Sequence, residues 1–537
     1  SQHAFASQLH MNPRYYLYAD EASLTILESP DEKVWLVGSD FGYGNFGDIL
    51  QHRNTISLHR QLGRYRSVAV IAANAIGDAQ FPAFVRQAYG ADAVVFVSEL
   101  PLDLAGAGLV LHSVQSVRNA ACLHLYGGGF LNDLWGPFVL GVTEYLLHAL
   151  HIQTYVVSGQ QITRPFEQEV LHHLGIFRPA LFGVRDARSQ QWMSEAGYQP
   201  EFSFDDATES LQALSSALPL KRGPGLLMQL NISDYTNNGE GGRDLDQELA
   251  ALSAHQCARD GVTLLHAFAD RRMEVVDTRE SIKQLERAFP FADYRMIELT
   301  QLAYRWPNCS GMAVQGDIGY SCSYHVALWL QLSGIPCWLR GRNPFYQQKT
   351  EALQVQQDLR SFLRDPHLAD HRSNLERRLI WQERLGAVLL ASPGLQRTCE
   401  LPSAIDKKLV AFHFKGRRLH EQDDSNELPV SRADYRVATP DGSSPGTHES
   451  LELRTYTLAL NAQITELGCA ANELRLRAEW AEARLAEAQN QLKLVLDEPV
   501  QIHLDATALR QAVAERDRQL ASLHQAVGQK DAYADDL

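Results

Sequence analysis

Five stretches of the chain carry side chains suited to gripping or reacting with an anionic ligand. In GSDFGYGNFGDILQHR (residues 38–53), Gly38, Gly42, Gly44 and Gly47 follow an apolar run and precede a helix expected to begin near Phe46 or Gly47. Free N–H groups and the dipole at such a helix start suit a phosphate or carboxylate, and Asn45 is a good N-cap. Asp48 in the first turn favours the dipole but repels an anion placed directly there. The plain alternative is a structural turn whose glycines permit unusual dihedrals. The stretch matches neither the GxGxxG fingerprint nor a P-loop. LYGGGFLND (125–133) is a second strand-to-glycine turn, where Gly127, Gly128 and Gly129 allow close approach of a ligand or another backbone. Asp133 is either part of that site or a solvated turn residue. SGQQITRP (158–165) ends a strand with Gln161, Thr163 and Arg164, and GVRDARS (183–189) puts Arg185 at a strand end. A guanidinium there can hold a carboxylate or phosphate bidentately, or pair with Asp186 or Asp205. In CSYHVALW (322–329), His325 falls in the first turn of a helix, where it can stay neutral and serve as an acid or hydrogen-bond donor, or be a satisfied structural histidine. Cys322 has no base paired with it in the sequence and reads as structural.

These residues need a scaffold. VWLVGSD (34–40), SVAVIAANA (67–75), ADAVVFVSE (91–99), ACLHLYGGG (121–129), QTYVVSGQQ (153–161) and ALFGVRDA (180–187) are short apolar runs separated by helical stretches. Continuous rather than alternating apolarity predicts strands buried on both faces of a parallel sheet with crossover helices. The pattern restarts with GLLMQLN (225–231), GVTLLHAFAD (261–270), GMAVQGD (311–317) and IPCWLRGR (335–342), with SYHVALWLQLSG (323–334) as a helix. The predicted architecture is α/β: two Rossmann-like lobes in a twin-Rossmann, GT-B-like arrangement, with the ligand at the strand C-termini between them, followed by an α-helical coiled coil. The divisions are an N-terminal extension (1–33), lobes at 34–215 and 216–400, a polar linker (401–450) and a coiled coil (451–537). A helix over 370–395 is expected to pack back on the second lobe.

The linker is too polar to offset chain entropy by burial. Beyond it, Leu460, Ile464, Leu467, Ala471, Leu474 and onward to Val495 alternate spacings of four and three, the 3.5-residue period of a left-handed coiled coil. Pro499 interrupts the seam and Leu509 to Val527 resume it, with Arg516 intruding. Self-association through 451–537 is the expectation, because a helix lying on a globular face would carry a wider apolar stripe.

The chain has 537 residues, 45% hydrophobic and 21% charged, with a net charge of −15. This argues against a dedicated nucleic-acid binder, which shows a basic footprint. No apolar run reaches the roughly 18 residues that span a bilayer, and the first twenty residues lack the basic-then-apolar order of a signal peptide. The 7 cysteines include no CxxC pair, which points to reduced thiols and the cytoplasm rather than a disulfide framework or a metal site.

In order and spacing, GYGNFGD, YGGGFLND, SGQQI, RDARS before FSFDDA, and SYHVALWLQLSGIPCWLRGRNPFYQQK resemble the polysaccharide pyruvyl transferases. The likeness covers roughly residues 34–360. It implies transfer of pyruvate as a ketal from phosphoenolpyruvate to a sugar of a bacterial surface polysaccharide or its lipid-linked precursor, with no metal or other cofactor required. It also implies peripheral work at the inner face of the cytoplasmic membrane. Arg185 and His325 would hold the donor's phosphate and carboxylate, and an acid would protonate the enol carbon. Ser323 and Tyr324 stand where the family's R-L-H motif has its first two residues, and Thr163 stands where a histidine often follows the Q-x-I strand end. Arg164, Arg340, Arg342 or Lys349 are the nearby cations that could compensate. These departures leave open a GT-B-like glycosyltransferase with a nucleotide-sugar donor, or a degenerate scaffold serving the coiled coil.

Overall fold

A computed structural model describes residues 15–391, except 41–43, 74–80, 99–103, 105–107, 113–115, 133–135, 219, 232–241, 268–286, 290–293, 306–313 and 342–343, together with 436–437, 514–515 and 517–518. The chain divides into two compact units. Two β-sheets make up the framework of the first. In the second, Ala514, Glu515, Asp517 and Arg518 are helical. The heptad seam and the linker, apart from these residues and 436–437, lie outside the described residues.

The first sheet contains β1 (Tyr16–Ala19), β2 (Lys33–Val37), β3 (Arg66–Ala72), β4 (Ala93–Ser98), β5 (Val110–His112), β6 (Ala120–Leu125), β7 (Thr154–Gln160), β8 (Leu181–Val184) and β9 (Glu201–Phe202). Its order is β5-β1-β4-β3-β2-β6-β7-β8-β9. All pairs from β4 to β9 are parallel, while β1 runs antiparallel to both β4 and β5. The parallel part thus starts at β2, grows one way to β3 and β4, then reverses to β6 through β9. That doubly wound order has its switch point between β2 and β6, where a crevice opens beyond the strand C-termini. The two glycine turns leave the sheet at those two strands.

Burial on both faces explains the sequence pattern. Along β2, Val34 and Leu36 enter one core while Trp35 and Val37 enter another on the opposite face. Along β4, Val94 and Phe96 alternate in the same way with Ala93, Val95 and Val97. Each strand therefore reads as an unbroken apolar run.

The second sheet holds β10 (Leu220–Gln229), β11 (Val262–His266), β12 (Tyr294–Glu298), β13 (Val314–Ser321), β14 (Cys337–Leu339) and β15 (Arg436–Val437), in the order β14-β13-β10-β11-β12-β15. All its pairs are parallel. It repeats the doubly wound order, with its switch point between β10 and β13.

Three placements differ from the sequence expectation. Residues of the N-terminal extension supply β1 and the helix Glu21–Glu28, and β1 joins the first sheet. Strands β5, β9, β12 and β15 are short or lack a sustained apolar run and escaped the periodicity reading. The helix Arg372–Ala391, expected on the second lobe, packs instead against the first sheet. Trp381 meets Gly183 of β8, Arg384 pairs with Glu201 of β9, and Arg378 is buried on Asp206 and Glu209 just beyond.

Candidate functional site

The first glycine turn leads from β2 into the helix Phe46–Leu62. Asn45 caps it, its side-chain oxygen accepting from the N–H groups of Gly47 (3.0 Å) and Asp48 (3.4 Å). The N–H of Phe46 donates to the carbonyl of Ala267 beyond β11 at 2.8 Å, and that of Ile49 to Asn45. The first-turn donors expected to be free for an anion are therefore already satisfied. Gly44, with φ of +82°, takes the left-handed conformation that glycine tolerates. Gly47 is needed for another reason: a Cβ there would collide with the ring of His325.

His325 arrives from the second sheet. β13 ends at Ser321, Ser323 caps the next helix with its hydroxyl oxygen, and every residue from Tyr324 to Gln331 is buried. A helix apolar on nearly all sides is a core helix, and it carries His325 into the space beyond the first sheet. There His325 Nε2 lies 3.1 and 3.2 Å from the two carboxylate oxygens of Asp205.

Asp205 is the hub. Arg185, which leaves β8, donates from Nη1 to Asp205 Oδ2 at 3.1 Å, and both side chains are essentially excluded from solvent. Gln51 Nε2 donates to the same oxygen at 3.0 Å and also to the carbonyl of Gly127, while Ser39 donates to Gln51 Oε1. Burial alone would raise the Asp205 carboxyl, but His325 and Arg185 beside it hold it well below the usual carboxylate range. Arg185 Nη2 donates to Gln161 Oε1, and Gln161 Nε2 to the carbonyl of Phe345 at 3.0 Å.

The second glycine turn closes round this group. A Cβ on Gly129 would lie 2.7 Å from the Phe345 ring and 3.2 Å from Arg185 Nη2, and one on Gly128 would lie 3.2 Å from Gln51. The Gly127 N–H donates to Asp206 at 2.8 Å. Gly128 and Gly129 let this backbone pass directly over the arginine.

Two buried polar atoms at this place, Arg185 Nε and the Tyr324 hydroxyl, have no hydrogen-bond partner among the described residues. Tyr324 lies under the Arg185 guanidinium, 4.1 Å from its ring centroid. Lys349, on the helix Pro344–Ala352, is 9% exposed and sits 4.0 and 4.5 Å from the ring centroids of Phe345 and Tyr346. Burial and then Arg185 push its ammonium well below the ordinary lysine range, against an opposing pull from Asp48 and Asp205. The half-buried Asp48 carboxyl also makes no hydrogen bond among the described residues. Burial and then the charge of Asp40 push it well above its ordinary value.

Of the residues singled out from sequence, Asn45, Gly47, Asp48, Gly127, Gly128, Gly129, Gln161, Arg185, Tyr324, His325 and Lys349 come to this one place. Ser323 is here as a helix cap. Thr163 donates to the Leu131 carbonyl at 3.1 Å. Arg164 is exposed, paired with Glu167 and stacked on Trp192. Arg340 is buried on Glu248 at 3.0 Å. None of these last three compensates at the site. Asp133 and Arg342 lie outside the described residues.

Several participants were not found by motif reading. Gln51 serves the hub directly. Asp40 sits behind Asp48, bonded to His52 Nδ1 at 3.2 Å and accepting from the Tyr89 hydroxyl. Asp206 accepts from Ser158 (2.6 Å) and from Arg378 (2.7 Å). The signal for Gln51 lay in the helix Phe46–Leu62, whose polar Gln51, His52, Asn54, Thr55 and His59 are buried where an ordinary amphipathic helix buries mainly apolar residues.

A cavity of about 300 Å³ lies elsewhere, lined by Leu147, His148, His151, Tyr155, Phe177 and Arg178 among others. The Tyr155 hydroxyl beside it is bonded to His173 at 2.7 Å, and His173 to Glu144 at 3.0 Å. Of its basic side chains, His151 and Arg178 are exposed and His148 is half-buried.

At this place the Arg185 guanidinium and the His325 imidazole meet the Asp205 carboxylate, with Lys349 and Asp48 close enough to interact with Arg185 and Asp205. No protein-family model matches the chain, and no curated protein is significantly similar to it. Among the described residues no helix is long and apolar enough to cross a membrane.

Proposed function

We propose that the chain is a transferase with an anionic donor, and that its reaction is transfer of pyruvate from phosphoenolpyruvate to a sugar of a bacterial glycan or lipid-linked saccharide. The observation that carries this reading is the meeting of Arg185, from the C-terminal end of one parallel sheet, with His325, from the C-terminal end of the other, across the single carboxylate of Asp205. Ligands of doubly wound sheets bind at that edge, and two such sheets facing each other across a site is the twin-Rossmann architecture the sequence suggests. The return of the helix Arg372–Ala391 to the first sheet ties the chain's two halves together in the same sense. Arg185 supplies the positive charge for phosphate and carboxylate, joined by Lys349 when a bound anion offsets the burial that disfavours its ammonium, and charge-assisted hydrogen bonds contribute much of the affinity for such a ligand.

A nucleotide-sugar donor is the second reading. It is favoured by Ser323, which caps a helix where the family has an arginine, and by the sharing of Arg185 with Asp205. Thermal unfolding with phosphoenolpyruvate and with a panel of nucleotide sugars separates the two. Saturable stabilisation by phosphoenolpyruvate alone supports pyruvyl transfer, and by a nucleotide sugar alone supports glycosyl transfer. No response to either favours a scaffold. In both enzyme readings His325→Ala abolishes turnover, and an unchanged rate removes His325 from the site.

A further inference from the structure

We propose that the Gln161 carboxamide is a placeholder for the ligand's oxyanion, holding a donor of Arg185 that a carboxylate or phosphate takes when it binds. This role rests on the reading of Arg185 as the holder of an anionic donor, and it applies to either donor named above. It reverses the part the sequence suggests for Gln161, which is that of one more ligand contact.

A guanidinium carries five N–H groups in a rigid planar fork, and its Nε and Nη2 lie along one edge. In Arg185, Nη1 donates to Asp205 at 3.1 Å and Nη2 donates to Gln161 Oε1. Nε is buried and has no hydrogen-bond partner among the described residues. The edge suited to a bidentate oxyanion therefore has one donor unpaired and the other on a neutral amide oxygen. A buried donor left unpaired is costly. An oxyanion laid along this edge satisfies Nε and replaces the neutral acceptor at Nη2 by a charged one.

Of the two acceptors on Arg185, Gln161 is the one that can give way. Asp205 is also held by His325 (3.1 Å), by Gln51 (3.0 Å) and by the N–H of Ala207 (2.9 Å). Gly129 crowds Nη2 as well, since a Cβ there would lie 3.2 Å away, but that neighbour is backbone. Arg185 does not need Gln161 for its orientation, because Asp205 pairs with it and the Tyr324 ring lies 4.1 Å from its central carbon. The amide is held in place from its other end, where Gln161 Nε2 donates to the Phe345 carbonyl at 3.0 Å. Phe345 belongs to the helix Pro344–Ala352, which Gln348 fastens to Asp186 and Ser189, each at 2.9 Å. The contact that yields to the ligand is thus anchored on the helix that carries Lys349.

The test uses the full chain with Gln161→Leu and Gln161→Ala, which remove the neutral acceptor, and Gln161→Glu, which turns it into an anion. Thermal unfolding is followed against phosphoenolpyruvate, the nucleotide-sugar panel and inorganic phosphate. Loss of the placeholder predicts a half-saturating concentration about ten- to a hundredfold below the wild type in whichever of Q161L and Q161A folds. Q161E predicts a rise of about tenfold or more, because a fixed carboxylate competes with the ligand for Arg185. A side chain that contacts the ligand gives the opposite sign in the uncharged variants, weaker binding. A purely structural side chain lowers the melting temperature and leaves the half-saturating concentration unchanged. Either result overturns the assignment while the donor reading stands. If neither uncharged variant folds, an unchanged half-saturating concentration in Q161E overturns it instead. A silent wild type beside a responsive Q161L supports the placeholder. Silence of every variant and the wild type toward every probe removes Arg185 as an anion site, and the donor reading falls together with this role.

Discussion

Gly47 illustrates how a single hydrogen atom decides a site. Its neighbour across the fold, His325, is brought by a helix from the other sheet and presses against the place where any other residue would carry a Cβ. Gly47→Ala forces the ring away from Asp205, and overpacking of this kind typically costs about 1–3 kcal/mol. The expected result is a lower melting temperature together with loss of donor-induced stabilisation; an alanine variant with wild-type stability would mean that the ring has room to move. From sequence this glycine belongs to a turn and carries no hint of His325, because the contact joins residues far apart in the chain. Asn45 was legible as a cap because capping is local, and Arg185 was legible as either an anion holder or a partner of Asp205. The Asp205 hub was not legible, since its meaning comes from three elements meeting at one carboxylate. Asp48 shows the same limit: charge and helix position were visible, but its closeness to Asp40 and Lys349 was not.

At the scale of elements, strands buried on both faces announced themselves, while short or edge strands such as β1, β5 and β9 did not. The helix Arg372–Ala391 was legible as a helix but misassigned, because an amphipathic pattern says which face is buried and not against what. Its anchor is Arg378, 2% exposed, which donates to Asp206 and Glu209 and to the carbonyl of Ser203 (2.9 Å). Asp206 in turn receives the Gly127 N–H and the Ser158 hydroxyl. Asp205 and Asp206 thus split their work: the first faces the candidate site, and the second ties its glycine turn to the returning helix. Replacing Arg378 by Met leaves two carboxylates without their cation, one of them fully buried, and breaking such a pair typically costs about 3–5 kcal/mol. Denaturant unfolding of R378M would measure this loss. A variant as stable as the wild type would show that the helix is held by Trp381, Leu385 and Leu389 alone.

For the whole molecule, a net charge of −15 sets a background that repels anions, so under the donor reading an anionic ligand must be won locally by Arg185. Electrostatic attraction between partly buried charges is screened less by salt than that between exposed ones. The α/β unit contains every described residue of the candidate site, whereas the heptad positions from Ile464 to Val495 belong to the other unit. If the seam serves self-association, catalysis and assembly are separable. Deleting residues 451–537 is then expected to reduce the particle mass measured by light scattering to that of one shortened chain. The concentration of phosphoenolpyruvate giving half-maximal stabilisation should stay within about twofold of the full chain, because the described side chains around Asp205 all precede residue 451. A shortened chain that remains oligomeric would place the association surface on the α/β unit. A shortened chain that becomes monomeric and stops responding to the donor would mean that the site depends on assembly.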